Sequence, residues 1–368
     1  MVLAPALLAA GRASGDWPTF RGDNARSGRA DRPISDSPAH LWKAELGGSV
    51  DGSPVVVGGR VFVGTNQGVF AAVAAESGEL LWRAQLDGAI CSAAGLAGDD
   101  RLLVGTSRRR LYCLSTQGAL LWQARAWDAV VASPLVVGDL CIWGSMDGVL
   151  HATRVADGST AWERTLAGGI GAAPSGAGDV VYAADERGVV WALRVSDGQV
   201  LWQRETGCLG MAAPVVADDT LLVPLVSPTQ LSPPKVPYLV ALDRTTGEVR
   251  WQVTEARSVF ASPLQGAQGL LYVSVEGYLS ETFLRCQSAD GGSEVWKQRL
   301  AGVVDSSPAM AGQRVYFGAQ DGCLYVADSS SGAVLARVQL ATKVFSSPAL
   351  DGGRLYLGAK DGCLHCLQ

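Results

Sequence analysis

Two carboxylates and one amine fall at related points of a repeat in this 368-residue sequence. Asp51 and Asp305 occupy the same position in two repeat copies, and Lys343 belongs to the copy that lies between them in a closed ring. Two carboxylates beside an ammonium group could hold a metal ion, bind a cationic group, or act as an acid–base pair. They could equally be solvated charges in a wet channel, and both interpretations stay open.

The other copies place mostly apolar residues at that position. We call this set the axial ring, and it consists of Asp51, Cys91, Val131, Gly171, Met211, Phe260, Asp305 and Phe345. A pocket that is part apolar and part acidic fits a small-molecule site better than a random surface does. We therefore predict that Met211, Phe260 and Phe345 contact a ligand.

The loops around the axial ring depart from the repeat. Trp127-Asp128 and Arg257 replace small residues there and are further predicted ligand contacts. The hairpins on the same side carry Arg108-Arg109-Arg110, a proline-rich insertion at 227–237 and an enlargement at 276–281. A proline-rich loop of limited entropy suits recognition, although an insertion tolerated at a hairpin tip explains it as well. We call this side of the molecule the decorated face.

A repeat of about 40 residues positions all of these side chains. Tryptophan marks seven copies, and Ala336 stands at the equivalent place in the other one. The seven are Trp42, Trp82, Trp122, Trp162, Trp202, Trp251 and Trp296. Twelve residues after each marker lies a proline, except that one copy has Ala94. Two residue types at constant offsets predict eight equivalent structural units.

Short β-branched and aromatic runs separated by turn residues fill each copy. Four such runs in a period of about 40 residues indicate propeller blades. The Asp-Gly pairs that begin at Asp147, Asp321 and Asp361 predict two-residue hairpin turns. No window has sustained helical periodicity. The predicted fold is therefore an all-β, eight-bladed β-propeller of four-stranded antiparallel blades.

The two ends of the repeat region complement each other. The last copy ends with its third strand, at Leu364–Leu367, and the first begins with a fourth strand at His40–Trp42. Pairing the two removes exposed edges, so we expect the N-terminal strand to complete the last blade. The predicted division is a tail or residual signal peptide at 1–15, a lead-in segment at 16–38, and one propeller at 39–368.

Composition narrows the possible partners. The net charge of −5 argues against nucleic acid. Cys363 and Cys366 lie three apart on a predicted strand and so point to opposite faces, which favours packed thiols over a metal pair. With three histidines in the chain, no metal site is expected.

The N-terminal residues leave the compartment open. No stretch is long enough to span a membrane, and residues 1–15 have an apolar core without a basic region before it. We expect a monomer that is periplasmic or secreted if a longer signal sequence exists, and cytoplasmic otherwise.

The segment Ala241–Trp251 reads Ala-x-Asp-x-x-Thr-Gly-x-x-x-Trp, and Asp16–Asp23 reads Asp-Trp-Pro-Thr-Phe-Arg-Gly-Asp. Together they resemble the repeat of the pyrroloquinoline-quinone-like eight-bladed propellers and the lead-in that is common in bacterial members of that family. The resemblance covers residues 16–368 and implies that each tryptophan docks one blade on the next. It specifies a fold, not a chemistry.

Two branches of that family imply different functions. Its quinoprotein dehydrogenases carry the quinone with calcium on the axis, usually beside adjacent cysteines, and this chain has no Cys-Cys pair. We therefore expect no cofactor, and pyrroloquinoline quinone with calcium is disfavoured. The other branch resembles the propeller subunit of the outer-membrane barrel-assembly machinery, which binds partners.

Three functions remain. The first is a binding or scaffolding propeller that recognises a protein or small ligand on the decorated face. The alternative is an enzyme of cyclase or transferase type at the axial mouth, with Asp51 and Asp305 as acid and base and Lys343 as electrostatic partner. A quinone-dependent dehydrogenase is the third. The sequence contains no Gly-x-Ser-x-Gly elbow, which weakens the case for a hydrolase.

Overall fold

The computed structural model describes residues 16–227, 237–254, 258–276, 281–291 and 293–368. These residues form 33 β-strands and no helix. The strands make eight sheets, seven with four strands and one with five. Each sheet contains one four-stranded antiparallel blade, to which the five-stranded sheet adds a short parallel strand, so the predicted eight-bladed all-β propeller is confirmed.

The strands follow one another in chain order from the axis outward. Two precede the blades: β1 (Arg29–Ala30) and β2 (His40–Glu45). Blades 1 and 2 contain β3 (Val55–Val57), β4 (Arg60–Gly64), β5 (Val69–Ala74), β6 (Leu80–Gln85), β7 (Gly95–Ala97), β8 (Arg101–Thr106), β9 (Arg110–Ser115) and β10 (Leu120–Arg125). Blades 3 and 4 contain β11 (Leu135–Val137), β12 (Leu140–Gly144), β13 (Val149–Arg154), β14 (Thr160–Thr165), β15 (Ser175–Ala177), β16 (Val180–Ala184), β17 (Val189–Arg194) and β18 (Val200–Glu205).

The remaining blades continue this order. Blades 5 and 6 contain β19 (Val215–Ala217), β20 (Thr220–Pro224), β21 (Leu239–Asp243), β22 (Val249–Val253), β23 (Leu264–Gln265), β24 (Leu270–Glu276), β25 (Glu281–Gln287) and β26 (Glu294–Leu300). Blades 7 and 8 contain β27 (Ala309–Ala311), β28 (Arg314–Gly318), β29 (Cys323–Asp328), β30 (Val334–Gln339), β31 (Ala349–Asp351), β32 (Arg354–Gly358) and β33 (Cys363–Leu367).

The ring closes as the sequence predicts. Strand β2 pairs antiparallel with β33 and is the outermost strand of blade 8, with Trp42 opposite Cys366. The amide of Ala39 also donates to the carbonyl of Gln368 at 2.8 Å. Blade 8 is therefore assembled from both ends of the repeat region, which leaves no unpaired blade edge at the junction.

The marker tryptophans connect each blade to the next. The indole N–H of Trp162 in blade 3 donates to the carbonyl of Val195 in blade 4 at 2.7 Å. Its ring lies against Gly198, whose φ of +67° suits glycine and where a β-carbon would approach the ring to 2.6 Å. The same indole-to-carbonyl bond is made by Trp42, Trp82, Trp122 and Trp202.

The missing tryptophan at Ala336 has a structural reason. A tryptophan there would face the hairpin between the third and fourth strands of blade 8. In that blade the third strand is β33 and the fourth is β2, so the chain makes no such hairpin. The docking surface that the other marker tryptophans use is therefore absent at this one junction.

The predicted two-residue Asp-Gly turns are wrong. Strands β12 and β13 are joined by the four residues 145–148, and only Gly148 of these has positive φ, at +84°. Asp147 instead accepts the amide of Val149 at 2.9 Å through its side chain. The aspartate thus acts as a turn cap, which is the other reason why aspartate is common in turns.

The lead-in segment packs across the face opposite the decorated face. Its backbone or side chains bond the central residue of six innermost strands: Val56, Leu96, Val136, Gly176, Val216 and Met310. Strand β1 adds a short parallel pair with β27. Innermost strands expose an unpaired edge toward the axis, and the lead-in segment satisfies it.

Candidate functional site

All eight residues of the axial ring line one cavity of about 190 Å³ on the propeller axis. They occupy equivalent places just before the innermost strand of each blade, which explains why the repeat offset alone groups them. The cavity also includes Phe20 of the lead-in segment. Phe20 reaches it from the opposite face, to which the lead-in segment belongs. We call the resulting cavity the axial cup.

Small residues form the wall of the axial cup below the axial ring. In each copy they lie about two positions after the residue of the axial ring. Ser307, Ser347, Ser53 and Ser133 accept backbone amides of the preceding blade through their hydroxyl oxygens, at 2.9–3.0 Å. These bonds cross half of the eight blade junctions. They fix the spacing of neighbouring blades at the depth where a ligand would lie.

Two buried arginines hold the base in place. The Arg21 guanidinium donates to the carbonyls of Ser262, at 2.8 Å, and Pro263, at 2.6 Å. Arg26 donates to the carbonyls of Pro134 and Pro174, at 3.1 and 3.0 Å. The repeat prolines therefore present their carbonyl oxygens to two charged groups near the axis.

Both guanidiniums are charged at neutral pH although they are buried. Burial lowers the pKa of Arg21 to about 9, with Asp23 opposing the shift, and lowers the pKa of Arg26 to about 10. Both values lie above 7. Each charge is compensated by carbonyl dipoles, as a buried charge requires.

The mouth of the axial cup carries fixed charges. Asp51 accepts hydrogen bonds from the Ser49 hydroxyl at 2.7 Å and the Lys360 ammonium at 2.8 Å. Asp305 accepts the side-chain amide of Gln320 at 2.5 Å. Lys360 and Gln320 occupy equivalent places in the hairpins of blades 8 and 7.

Lys343 does not have the predicted position. It is exposed and is not part of the cavity lining, and its described contact is a backbone bond to Lys360. The ammonium group beside Asp51 is that of Lys360, which also lies 5.0 Å from the Phe345 ring centre. Counting from the inner-strand loop alone missed Lys360, because it projects from the hairpin that overhangs the ring.

Cys91 is an exposed thiol of the axial ring. Desolvation in the cup raises its pKa, and the negative charge of Asp51 adds to this effect. A thiol with a raised pKa is a poor nucleophile. The axial cup therefore presents acidic and cationic groups without an activated thiol.

The second candidate region is a corner of the decorated face between blades 2 and 3. Trp127 is 84% exposed, Asp128 is exposed beside it, and the Trp127 amide donates to Asp147 at 2.9 Å. The Ala126 amide donates to the carbonyl of Arg109 at 2.9 Å, so the arginine hairpin touches the Trp127 loop. We call Arg108, Arg109, Arg125, Trp127 and Asp128 the Trp127 corner.

Exposed apolar side chains separate into two groups in the described part of the chain. Nine lie in outermost strands of the blades: Leu41, Leu80, Leu81, Leu120, Leu121, Leu201, Val249, Val295 and Leu335. The other three are Trp127, Met211 at 49% and Phe260 at 37%. All three belong to the decorated face. The first group repeats from blade to blade, whereas the second is specific to this face.

Several predicted residues lie outside the described residues. These are Arg257, most of the proline-rich insertion (228–236) and the tip of the sixth-blade hairpin (277–280).

The axial cup does not suit a quinone with calcium. Calcium takes roughly six to eight oxygen ligands, whereas Asp51 is already paired with Lys360 and Asp305 with Gln320. The cavity of about 190 Å³ is also smaller than the roughly 300–1,000 Å³ of typical cofactor sites. Its charges and size suit a small polar or zwitterionic group.

No helix of the described chain is both long and apolar enough to cross a bilayer.

A family model described as the β-propeller of the β-alanine-activating enzyme matches residues 46–368. Comparison with curated proteins gives no match.

Solved structures share the fold at low sequence identity. BamB from Moraxella catarrhalis aligns with a TM-score of 0.75 and 18% identity over 90% of this chain and 99% of its own. The quinohemoprotein alcohol dehydrogenase of Comamonas testosteroni aligns with a TM-score of 0.81 and 13% identity over 97% of this chain and 81% of its own. A europium-containing methanol dehydrogenase aligns with a TM-score of 0.79 and 14% identity over 94% of this chain and 91% of its own. The resemblance to pyrroloquinoline-quinone-like propellers is therefore confirmed at the level of fold.

Proposed function

We propose that this chain, which belongs to the family of β-propellers described for the β-alanine-activating enzyme, is a binding propeller. Its Trp127 corner recognises a protein partner. The observation that carries the proposal is the exposure of Trp127, at 84%, on the face where the blades depart from their repeat. Tryptophan is one of the side chains enriched among the residues that supply most of the binding energy of a protein interface.

The neighbouring arginines support this assignment. Arg109 adopts φ of +69°, whereas the equivalent hairpin residue is glycine in blades 1, 3, 4, 7 and 8. A left-handed non-glycine residue costs on the order of 1 kcal/mol, and such strain concentrates at functional sites. The fold thus keeps an unfavourable arginine next to an exposed tryptophan.

Charge indicates the kind of partner. Arg108, Arg109 and Arg125 are exposed around Trp127, with Asp128 as the acidic neighbour. Arginine and tryptophan together are the residues most enriched at interface hot spots. The complementary surface has a pocket for an indole ring bordered by carboxylates.

The test compares two variants that each remove one exposed apolar side chain. Trp127→Ser alters the corner, and Leu121→Ser alters an outermost strand where the side chain is 45% exposed. Partners are captured by cross-linking and quantified, and the strongest candidate is purified for affinity measurement. We expect Trp127→Ser to weaken binding at least about tenfold and Leu121→Ser to leave it unchanged. Equal affinity of the wild type, Trp127→Ser and Leu121→Ser for every captured partner would refute the proposal.

A small-molecule site in the axial cup is a second candidate function. The Lys360 ammonium pairs with Asp51 at its mouth, and the Asp305 carboxylate lines the same cavity. This combination complements a zwitterion, and the family's name suggests β-alanine as the first ligand to try. Calorimetric titration with β-alanine tests it. Saturable heat that Asp305→Asn abolishes would support binding in the axial cup, and absence of heat up to millimolar β-alanine would exclude β-alanine as the ligand.

The axial acid–base enzyme predicted from the sequence is a variant of this second candidate. Asp51 is paired with the Lys360 ammonium, whereas Asp305 has the neutral Gln320 amide as its partner, so Asp305 is the carboxylate suited to holding a ligand's ammonium group. Turnover of a bound substrate that survives Asp51→Asn and Asp305→Asn would exclude them as acid and base.

A further inference from the structure

We propose that blade 8 binds a zinc ion through Asp361, Cys363 and His365. The three residues alternate along β33 and the turn before it, so their side chains lie on one face of the blade. One ligand atom of each lies within 4.8 Å of the others. Sulfur, imidazole nitrogen and carboxylate oxygen are the ligands that zinc takes in proteins.

Blade 7 shows that a cation belongs at this place in the fold. Its equivalent residues are Asp321, Cys323 and Tyr325, forty positions earlier. There the guanidinium of Arg337 lies 2.8 Å from an oxygen of Asp321 and 3.8 Å from the sulfur of Cys323. An internal cation thus bridges the aspartate and the cysteine in blade 7.

In the part of the chain that the structure describes, blade 8 lacks that bridge between its aspartate and its cysteine. His365 stands where blade 7 has Tyr325, and Lys43 stands opposite it where blade 7 has Arg337. Arg337 reaches its aspartate, but Lys43 forms no ion pair with Asp361 among the contacts of the described residues. The aspartate and cysteine of blade 8 therefore converge with a histidine where blade 7 has a tyrosine.

The fourth coordination position has a candidate as well. Glu45 lies directly opposite Cys363 across the β2–β33 pair, where blade 7 has Gln339 opposite Cys323. Cross-strand neighbours have β-carbons about 4.5–5.5 Å apart, so an exposed glutamate can reach a metal beside the thiolate. Exchange of glutamine for glutamate adds the negative charge that a divalent cation requires.

A second histidine orients the first. The Nε2 atom of His365 lies 3.1 Å from Asp361, and its Nδ1 atom lies 3.0 Å from Nε2 of His40. Metal ligands of this type usually hydrogen-bond through the other ring nitrogen, which fixes the tautomer. His40 fills that role, and the partly exposed Asp361 gives the ion access from solvent.

The ligand set selects the metal. A buried thiolate with imidazole favours zinc over calcium or magnesium, which prefer oxygen ligands alone. None of the three ligands lines the axial cup or belongs to the Trp127 corner, so the site does not depend on the proposed function.

The experiment uses the full chain with zinc and with cobalt as its spectroscopic substitute. We expect one bound zinc per chain by elemental analysis, and a thiolate-to-cobalt charge-transfer band on cobalt loading. Cys363→Ser and His365→Tyr should each weaken zinc affinity by at least about tenfold in competition with a chelating dye. Cys323→Ser, the same change in blade 7, should leave affinity and band unchanged.

His365→Tyr guards against unfolding because it installs the residue that blade 7 already accommodates at this position. Its melting temperature without metal is measured alongside. Absence of bound zinc and of the cobalt band in the folded wild-type protein would overturn the proposal. So would equal loss of affinity in Cys323→Ser and Cys363→Ser.

Discussion

The ammonium nitrogen of Lys360 lies 2.8 Å from a carboxylate oxygen of Asp51, and so connects the hairpin of blade 8 to the strand entry of blade 1. The contact spans the junction at which the ring closes. It also sets the charge at the mouth of the axial cup, since it neutralises one of the two axial carboxylates.

Replacing Lys360 with methionine should lower the free energy of unfolding by about 1 kcal/mol or less, since partly exposed ion pairs contribute on that scale. Urea denaturation measures the change. Lys343→Met is the matched control, because Lys343 is exposed and outside the cup lining, and it should have no effect. Equal destabilisation by the two variants would contradict the assigned pairing.

Replacing Arg26 with methionine should be much more costly, at roughly 3–5 kcal/mol, because buried carbonyls lose a charged donor. Arg26→Lys should recover only part of this loss, since an ammonium cannot reproduce the guanidinium fork that reaches both Pro134 and Pro174. Chemical denaturation monitored by fluorescence provides the values. The exposed Arg29, in the same segment, supplies the control Arg29→Met, and similar losses for the two methionine variants would argue against a supporting role for Arg26.

Acidification should destabilise the protein through His151. This imidazole is buried against Trp143, with ring centres 3.9 Å apart, and burial lowers its pKa although Glu163, 3.0 Å away, opposes the shift. In the unfolded chain the imidazole takes up a proton as pH falls through about 6.5. In the folded protein the same proton uptake requires a lower pH, because the pKa of His151 is lowered. The contribution of His151 to the free energy of unfolding is therefore present above about pH 6.5. It declines as the pH falls from about 6.5 toward the pKa of His151 in the folded protein.

His151→Gln removes this proton uptake. The variant should lose less unfolding free energy than the wild type between pH 7 and 5, whatever its stability at pH 7. Denaturation curves at both pH values provide the comparison, and parallel losses in the two proteins would show that His151 does not titrate on unfolding.

Trp127 should account for most of the emission that a soluble quencher can reach. The chain has eleven tryptophans, and Trp127 is the exposed one among them. Iodide titration of Trp127→Phe should therefore show a markedly smaller quenchable fraction than the wild type. Trp82→Phe, which changes a half-buried docking tryptophan, should preserve that fraction. An unchanged fraction in Trp127→Phe would place the side chain against the protein surface.

The blade count, the ring closure and the axial ring could be predicted from the sequence because each depends on a repeat offset. Trp42, for example, identifies both its blade and the strand that it completes. Residues that lie at equal offsets in a closed ring of equal units must surround the axis. For such residues, periodicity alone determines position.

The lead-in segment and the overhanging hairpins could not be predicted in this way. Residues 16–38 have no second copy, so no offset shows that Arg21 and Arg26 point to repeat carbonyls. Lys360 was missed because its ammonium reaches the cup from a different loop. The approach of Asp361 to His365 depends on the turn before β33, and the spacing of Cys363 and Cys366 does not reveal it.

The pairing of β2 with β33 also has a consequence for how the protein is made. A ribosome releases β2 before any complete blade, but its partner β33 emerges only after the other seven blades, so the last blade cannot form until those blades have been synthesised. The lead-in segment, which spans the blades, has the same delay. Contacts so distant along the chain slow folding, and the unpaired early strands are exposed to aggregation meanwhile. We therefore expect refolding to end in a slow step that joins the two halves of blade 8.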